Sequence, residues 1–372
     1  MNKRAIVLVV SFAAILLSMS AVTHADLGTP INSHWATTVP TINGVLAPGE
    51  WTDAAVRDFT MEMRARFGGA LVKTLNGTFY VKNDYNNLYC LVQIYNDDYE
   101  AIDALTRFNG LFLLFDNNHN HALEYGENGE GVQTWPGATF YTRNDAYYEG
   151  NFSYWDADLL AGKTNDGQMN FTHTNPVQGA IGNWTFETRI PLVGSDLGYD
   201  FNINMASLPK TIGYKIWFQE PGKGIDGVYP DEPTTTQNID ETLNATTYGN
   251  LIIHPLYYLT IQTTSGGTTV PPPSTYPYPY GTVVPVQAIQ DPGYIFDHWE
   301  LDMVPVGSTN PYSVTMDQNH TIKAFFTQIP SAPVGGLSFY SLTPKSSAVP
   351  VAYGVLFGLA TVTIVVWRRR RK

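Results

Sequence analysis

The chain has 372 residues, with 33 Asp and Glu against 21 Lys and Arg, and its formal net charge is −12. Seven of the basic residues lie at the two ends, so the segment between them carries a net charge of about −19. This negative charge makes nucleic acid a poor partner, because phosphate binding needs concentrated cations. Divalent cations or neutral ligands suit such a surface better.

The N-terminal segment has the pattern of a secretory signal. Lys3 and Arg4 precede an apolar run from Ala5 to Leu17, and small residues follow at the positions that a signal peptidase requires. We therefore expect residues 1–25 to be a signal peptide.

The region from residue 26 to residue 328 is predicted to be all-β. Short alternating runs bounded by Gly, Asn, Asp and Pro recur there without a long helical periodicity. The strand candidates are GALVKTLNGTFYVK, LYCLVQIYN, GLFLLF, ATFYTR, NWTFETRIPL, TIGYKIWFQE and YGNLIIHP. Their length and spacing predict that residues 26–255 form a two-sheet β-sandwich of the immunoglobulin or jelly-roll kind.

Four segments of this region carry a resemblance to a known family. INGVLAPGEWTDAAV (42–56), NDYNNLYCLVQIYNDD (83–98), FETRIPL (186–192) and YGNLIIH (248–254) are similar to segments of family 9 carbohydrate-binding modules and related DOMON-like sandwiches. The resemblance implies a non-catalytic domain that holds a sugar between Trp rings.

Glu187 is the charged residue of the FETRIPL segment. Alternation puts Phe186 and Ile190 on one face of the expected strand and Glu187 on the other. Its side chain is either a solvated or Arg-paired strand residue or a second carboxylate near a metal.

The stretch DNNHNHALEYGE, which follows the apolar run GLFLLF, resembles a calcium loop. Its oxygen-bearing groups fall where the template D-x-[DN]-x-[DN]-G-x5-E places ligands, although His121 stands where Gly normally makes the turn. Cys90 is the only cysteine, and a structural Ca²⁺ would pin this loop in a domain without disulfides. The predicted ligands are Asp116, Asn118, Asn120, the carbonyl group of Ala122, Glu124 and Glu127.

Two other interpretations of this stretch remain open. It is a plain polar turn, or His119 and His121 bind zinc or another borderline metal together with Glu124. Hard oxygen ligands dominate the stretch, which favours calcium over zinc.

Residues 131–158 combine aromatic rings with Asp and Asn, the mixture that pyranose recognition uses. The predicted ligand-binding residues are Trp135, Trp155, Tyr147 and Tyr148. The alternative is that these rings are ordinary strand and core residues.

The sequence predicts a binding protein and not an enzyme. It contains no Gly-x-Ser-x-Gly, no His-Glu-x-x-His, no phosphate loop and no dinucleotide fingerprint. One alternative is a structural or adhesive surface protein without a glycan pocket. Another is a redox DOMON-like domain that holds haem through residues such as Met61, Met63, His173 and His254.

Six Asn-x-Ser/Thr sequons support an extracellular location. Asn183 is adjacent to an expected buried strand and is left out. The predicted glycosylation sites are Asn76, Asn151, Asn170, Asn244 and Asn319.

Residues 256–328 form a second, smaller unit. The motif GYIFDHW and the later AFF resemble the divergent internalin B-repeat family of prokaryotic surface proteins. Tyr294, Phe296 and Trp299 are expected to supply its core. The resemblance implies a spacer or adhesive module.

The C-terminal segment predicts a membrane anchor. Residues 329–348 read as a stalk, and residues 349–367 are about long enough to span a bilayer as a helix. Residues 368–372 are all cationic and should stay in the cytoplasm, which predicts a single-pass cell-surface protein with its N-terminus outside. The sequon density and the arginine-rich end favour an archaeal source.

Overall fold

A computed structural model describes residues 28–66, 69–99, 101–103, 107–121, 128–133, 142–148, 155–157, 166–195, 201–231 and 244–330. Side chains are not described for residues 101–103, 107–108, 128–133, 142–148 and 155–157. Within the described residues, no helix has both the length and the apolar character that a membrane span requires. The predicted signal peptide, membrane segment and basic tail lie outside this part of the chain.

The described part of the chain is built from β-strands, as predicted, with two short 3-10 turns at Met205–Ser207 and Ala245–Thr247. The strands are β1 (Ile31–Asn32), β2 (His34–Trp35), β3 (Ala55–Ala65), β4 (Leu71–Asn83), β5 (Asn87–Asp98), β6 (Ala101–Asp103), β7 (Arg107–Phe108), β8 (Gly110–Asp116), β9 (Asn128–Gln133), β10 (Thr142–Tyr148), β11 (Trp155–Ala157), β12 (Gln168–His173), β13 (Ile181–Pro191), β14 (Lys210–Glu220), β15 (Ile225–Tyr229), β16 (Gly249–Ile253), β17 (Tyr257–Thr263), β18 (Gly267–Val270), β19 (Thr275–Tyr278), β20 (Val283–Gln290), β21 (Tyr294–Leu301), β22 (Val304–Gly307), β23 (Tyr312–Thr315) and β24 (His320–Gln328).

The first sixteen strands form one large sheet and a small ribbon. The large sheet has 14 strands in the order β11-β10-β9-β8-β14-β15-β3-β4-β5-β13-β12, with β16 and β1 attached beside β14 and β2 beside β4. Strands β6 and β7 pair only with each other. Six of the seven predicted strand segments coincide with observed strands, and most of the seventh, ATFYTR, lies outside the described residues.

The large sheet folds over on itself. In the strand order β4 and β14 are three places apart, which would separate them by about 14 Å in a flat sheet. The rings of Phe79 on β4 and Tyr214 on β14 are nevertheless only 5.5 Å apart between centroids. The rings of Phe186 on β13 and Phe218 on β14, two strands that are also far apart in the strand order, are likewise only 6.1 Å apart between centroids. The two layers of the predicted sandwich are therefore halves of one continuous sheet, and the main core lies between them.

Strands β17–β24 form the small module. A five-stranded sheet in the order β19-β17-β24-β21-β22 packs with a three-stranded sheet in the order β18-β20-β23 around a core of its own. Trp299 is fully buried in that core, and Tyr294 and Phe296 pack against it. The predicted core of this module is thus confirmed.

The sandwich and the small module meet at His254. The imidazole ring stacks on Tyr280 with 3.9 Å between ring centroids and an angle of 11° between the ring planes. Its Nε2 atom lies 2.8 Å from Asn32 Oδ1, and its Nδ1 atom lies 3.1 Å from the Tyr257 hydroxyl. The described residues up to Gln328 belong to one compact unit.

Candidate functional site

The predicted calcium loop begins as a turn that is capped by a carboxylate. Asp116 is fully buried at the end of β8. Its Oδ1 atom accepts hydrogen bonds from the backbone N–H groups of His119 at 2.7 Å and Asn120 at 3.3 Å. Its Oδ2 atom accepts from the N–H group of His121 at 2.9 Å. These bonds fill three of the roughly four acceptor positions of the carboxylate.

The backbone supplies the bend that Gly normally makes in such a loop. His121 has φ 63° and His119 has φ 59°, both in the left-handed region. The two imidazole rings are 4.6 Å apart between centroids, and Nε2 of His119 is bonded to Asn250 Oδ1. Ala122, Glu124 and Glu127 lie outside the described residues. Calcium binding, zinc binding and a plain turn all remain compatible with this geometry, and the calcium loop stays a prediction.

The predicted aromatic site lies at the far end of the large sheet. Tyr148 on β10 pairs with Trp155 on β11, so these two residues share one face of the sheet. Tyr147 pairs with Asp156 and belongs to the opposite face. Trp135 lies outside the described residues, so the proposed clamp of two Trp rings stays a prediction.

Glu187 is a buried clamp, by which we mean that its carboxylate binds the N-terminal segment of the sandwich to β13. Its Oε2 atom accepts from the backbone N–H groups of Asn43 and Gly44, both at 2.8 Å. Its Oε1 atom accepts from Nε1 of Trp51 at 2.9 Å. The side chain is fully buried and accepts from three N–H donors, so it is neither solvated nor paired with Arg, and the metal interpretation of Glu187 stays untested. Two of the segments that carry the family resemblance, residues 42–56 and 186–192, are in direct contact here.

Lys82 forms a second clamp on the same N-terminal segment. Its buried ammonium group donates to the carbonyl oxygen of Thr38 at 2.8 Å, to Asp53 Oδ1 at 2.7 Å and to the carbonyl oxygen of Glu50. It also lies 5.0 Å from the ring centroid of Trp51. Burial alone would raise the pKa of Asp53, but the hydrogen bond from Lys82 and others lower it. The two clamps hold residues 36–54 against the face of β4, β5 and β13 that points away from the main core. We call this face the outer face.

An open groove lies along β3, β4 and β5, mainly on their outer face, and also reaches Phe59 of β3 and Tyr229 of β15. Its volume of about 670 Å³ falls within the range of small-molecule sites, roughly 300–1,000 Å³. The lining residues are Asp58, Phe59, Thr60, Asn76, Gly77, Thr78, Tyr95 and Tyr229. Strand register builds the groove, since Asp58 pairs with Thr78, and Asn76 lies between Thr60 on one side and Tyr95 on the other.

Tyr95 forms the floor of this groove. Its hydroxyl group lies 3.0 Å from Gln93 Oε1 and 2.9 Å from Thr78 Oγ1. Gln93 is two positions back on β5, about 6.6 Å along the strand, so the ring must lie along the outer face. Thr78 Oγ1 in turn donates to Asp58 Oδ1 at 2.6 Å. The groove thus combines a flat aromatic ring with a carboxylate, an amide and hydroxyl groups.

None of these groove residues was predicted as a ligand site, although one signal was available. Phe59, Met61 and Met63 are buried, while the residues between them point outward, which is the alternation of a half-buried strand. This pattern would have identified β3. Which outward residues of β3 meet those of β4 and β5 depends on register between strands, which one strand's pattern does not contain.

A carboxylate cluster lies at one end of the sandwich core. Oxygen atoms of Asp97, Asp98 and Glu220 come within 4.8 Å of one another. Lys73 lies between them, 2.6 Å from Asp97 and 2.6 Å from Glu220, and Lys223 lies 2.8 Å from Glu220. Burial and the neighbouring Asp97 raise the pKa of Glu220. Two ammonium groups therefore compensate part of the charge of these three carboxylates.

The haem-ligand candidates do not converge. Met61 and Met63 pack against Gly227 in the main core. His173 packs on Trp184, with 4.6 Å between the ring centroids. His254 lies at the junction with the small module.

The predicted glycosylation sites differ in exposure. The exposed ones are Asn76, Asn244 and Asn319. Asn170 is half-buried, and its Nδ2 atom donates to the carbonyl oxygen of Ile42 at 2.6 Å. Asn151 lies outside the described residues.

Solved structures and one family model match parts of the chain. A family 9 carbohydrate-binding module from Caldicellulosiruptor kristjanssonii, solved in complex with cellotriose, matches with a TM-score of 0.38 and 14% identity over 61% of this chain and 94% of that one. A module of the same family and organism, solved in complex with glucose, gives a TM-score of 0.37 and 15% identity over 60% and 95%. No curated protein matches the chain. Residues 257–330 match the model of the divergent InlB B-repeat domain, which confirms the resemblance inferred for residues 256–328.

Proposed function

We propose that this is a non-catalytic, cell-surface binding protein whose sandwich recognises neutral carbohydrate in the groove of β3, β4 and β5. The observation that carries the proposal is the groove itself, with the Tyr95 ring beside the carboxylate of Asp58 and the amide of Asn76. The predicted membrane segment would anchor the protein, and a Ca²⁺ in the loop after β8 would have a structural role.

The chemistry of the groove suits a sugar. A pyranose offers an apolar C–H face to an aromatic ring and a rim of hydroxyl groups to polar side chains. Asp58 can accept hydrogen bonds from two sugar hydroxyl groups, and Asn76 can both accept and donate hydrogen bonds. Both residues are exposed, and Thr60 adds a further hydroxyl group.

The same residues favour a neutral ligand. Asp58 is the one carboxylate among the eight described lining residues, and no Lys or Arg lines the groove with it. An acidic sugar would meet like charge there. Glycoside hydrolysis uses a pair of carboxyl groups that flank the bond, so a single carboxylate suits binding better than cleavage.

A glycan array that contains neutral and acidic saccharides tests the proposal. Purified full-length protein from cells that add no N-glycans is expected to bind neutral members and to leave acidic ones unbound. Asp58→Asn should weaken the neutral binding and reduce the discrimination against acidic members. Asp297→Asn, which changes an exposed carboxylate of the small module, is the matched control and should bind as wild type does.

Two results would contradict the proposal. One is that wild-type protein binds no saccharide on the array, which would favour the adhesive alternative. The other is that Asp58→Asn and Asp297→Asn give identical binding profiles.

A further inference from the structure

Asn76 is both a groove residue and the acceptor of a glycosylation sequon. It belongs to Asn76-Gly77-Thr78 in the middle of β4, and all three residues line the groove. Its side chain is exposed on the outer face. The sequon therefore lies inside the proposed binding site and not on a remote loop.

The Asn76 amide has a defined orientation. Its Oδ1 atom accepts a hydrogen bond from Thr60 Oγ1 at 3.1 Å. The oxygen and nitrogen atoms branch from the same carbon, so Nδ2, the atom that would carry a sugar, is turned away from β3. Tyr95 on β5 is the neighbour of Asn76 on that other side. A sugar on Nδ2 would begin above the groove floor.

The rest of the sequon is held by the fold. A Cβ atom on Gly77 would come within 2.3 Å of the Phe59 ring and 2.5 Å of the carbonyl oxygen of Gln93, so no side chain fits there. Thr78 is buried, and its hydroxyl group is bonded to Asp58. Because the sequon hydroxyl is occupied and β4 is an internal strand, a transferase must act on this segment before the sheet forms.

We infer that Asn76 is an N-glycosylation site whose glycan closes the groove, so that one protein molecule carries either this glycan or a bound saccharide. The donor is a lipid-linked oligosaccharide phosphate. The bond between Asn76 Nδ2 and the anomeric carbon forms as the bond from that carbon to the lipid phosphate breaks, and the amide proton leaves to a base of the transferase.

The inference rests on the proposed function and adds a means by which saccharide binding is regulated. Glycosylation during export would produce a closed form of the sandwich, and unmodified chains would form the open one. The fraction of Asn76 that is occupied would then set the number of active binding sites on the cell.

The test compares the same protein made in two hosts, one that adds N-glycans and one that does not. Occupancy of Asn76 is measured by peptide mass spectrometry, and the stoichiometry and affinity of binding are measured by calorimetric titration with the neutral saccharide that the array identifies. Wild type from the glycosylating host is expected to lose binding sites in proportion to its Asn76 occupancy, while the sites that remain keep the affinity of the unmodified protein. Asn76→Gln should show the same stoichiometry and the same affinity from both hosts, whatever that affinity is.

Asn319→Gln is the control for glycans elsewhere. Asn319 is an exposed sequon residue on the small module, so this variant should keep the full difference between hosts. An Asn76 peptide that never carries a glycan would overturn the inference. Equal binding by wild type with and without the Asn76 glycan would also overturn it.

A second measurement separates the inference from the proposed function. Hydroxyl-radical footprinting reports the exposure of the Tyr95 ring without any ligand. In an Asn319→Gln background, which removes the sequon residue that contacts Tyr258, the Asn76 glycan should protect Tyr95 and leave the exposed Tyr258 of the small module unchanged. If unglycosylated protein binds no saccharide, the proposed function fails. If the glycan leaves Tyr95 unprotected, the closure of the groove fails.

Discussion

At the scale of single residues, the fold depends on buried charges that are satisfied by distant partners. Glu187 and Lys82 both lie on strands, and both bind the N-terminal segment of residues 36–54. A buried carboxylate or ammonium group without partners would destabilise the protein severely, so these contacts must form together with the sheet. They explain why an irregular segment packs firmly over the outer face.

Replacement of the Glu187 carboxylate should show its contribution. Glu187→Gln keeps the size of the side chain but turns one acceptor into an NH2 group that faces N–H donors. We expect a loss of about 2–3 kcal/mol in the free energy of unfolding, measured by guanidinium denaturation. Glu62→Gln, which removes a partly exposed pair with Arg64, should lose less than about 1 kcal/mol. Equal losses in the two variants would show that Glu187 is not a clamp.

The proposed calcium site has a test that does not depend on activity. Asp116→Ala must lower the melting temperature, because it removes the acceptor of three backbone N–H groups. The informative quantity is therefore the additional stability that calcium confers on each protein. If Ca²⁺ binds, wild type should gain about 2.7 kcal/mol at a calcium concentration of 100 times Kd, and Asp116→Ala should gain little. A wild-type melting temperature that is identical in calcium and in chelator would rule the site out.

At the scale of strands, an ion network joins the two halves of the folded sheet. Lys73 on β4 contacts Asp97 on β5 and Glu220 on β14, and Lys223 adds a contact from the turn that follows β14. Asn96, with φ 55°, lies beside the irregularity in the pairing of β5 with β13. Three carboxylates share two ammonium groups, and the pKa of Glu220 is raised because that residue is fully buried beside Asp97.

Removal of one ammonium group should destabilise the sandwich more than its surface position suggests. Lys73→Met leaves Asp97 and Glu220 buried with less compensation, and we expect a loss of about 3 kcal/mol in the free energy of unfolding. The comparison is Lys323→Met in the small module, whose ammonium group lies over the Phe325 ring. Denaturation curves that do not distinguish the two variants would contradict a structural role for the network.

The strands themselves were predictable because each carries a local pattern, either alternation or a short apolar run. GLFLLF became β8 and NWTFETRIPL became part of β13, and Trp299 lies at the centre of the small core as expected. The clamps were not predictable, since the N–H groups that bind Glu187 are 143 and 144 residues away in sequence. The groove was missed for the same reason, as its side chains belong to three strands whose register no local pattern encodes.

At the scale of the whole molecule, His254 couples the sandwich to the small module. Burial lowers the pKa of His254 to about 4, and the nearby His34 adds to this shift. The ring is therefore neutral at physiological pH and can stack on Tyr280 while it bonds to Asn32 and Tyr257. Acid should loosen this junction before it affects the cores.

The pH dependence follows from the lowered pKa. A group whose folded pKa lies below its ordinary value of about 6.5 contributes stability above that value, and loses it as the pH falls through the folded pKa. Protection of the backbone amides of His254 and residues 256–258, corrected for intrinsic exchange, should decline between about pH 6.5 and pH 4. His254→Phe keeps a ring against Tyr280 and should remove this decline. A decline that persists in His254→Phe would assign it to another group.

The central claim is that the Tyr95 ring is the platform of a saccharide site, and calorimetric titration of unglycosylated full-length protein with a neutral saccharide from the array tests it most directly. Tyr95→Ala should weaken binding at least tenfold, about 1.4 kcal/mol, while Tyr95→Phe, which keeps the ring, should lose much less. Binding by Tyr95→Ala that equals that of wild type would contradict the assignment of the groove.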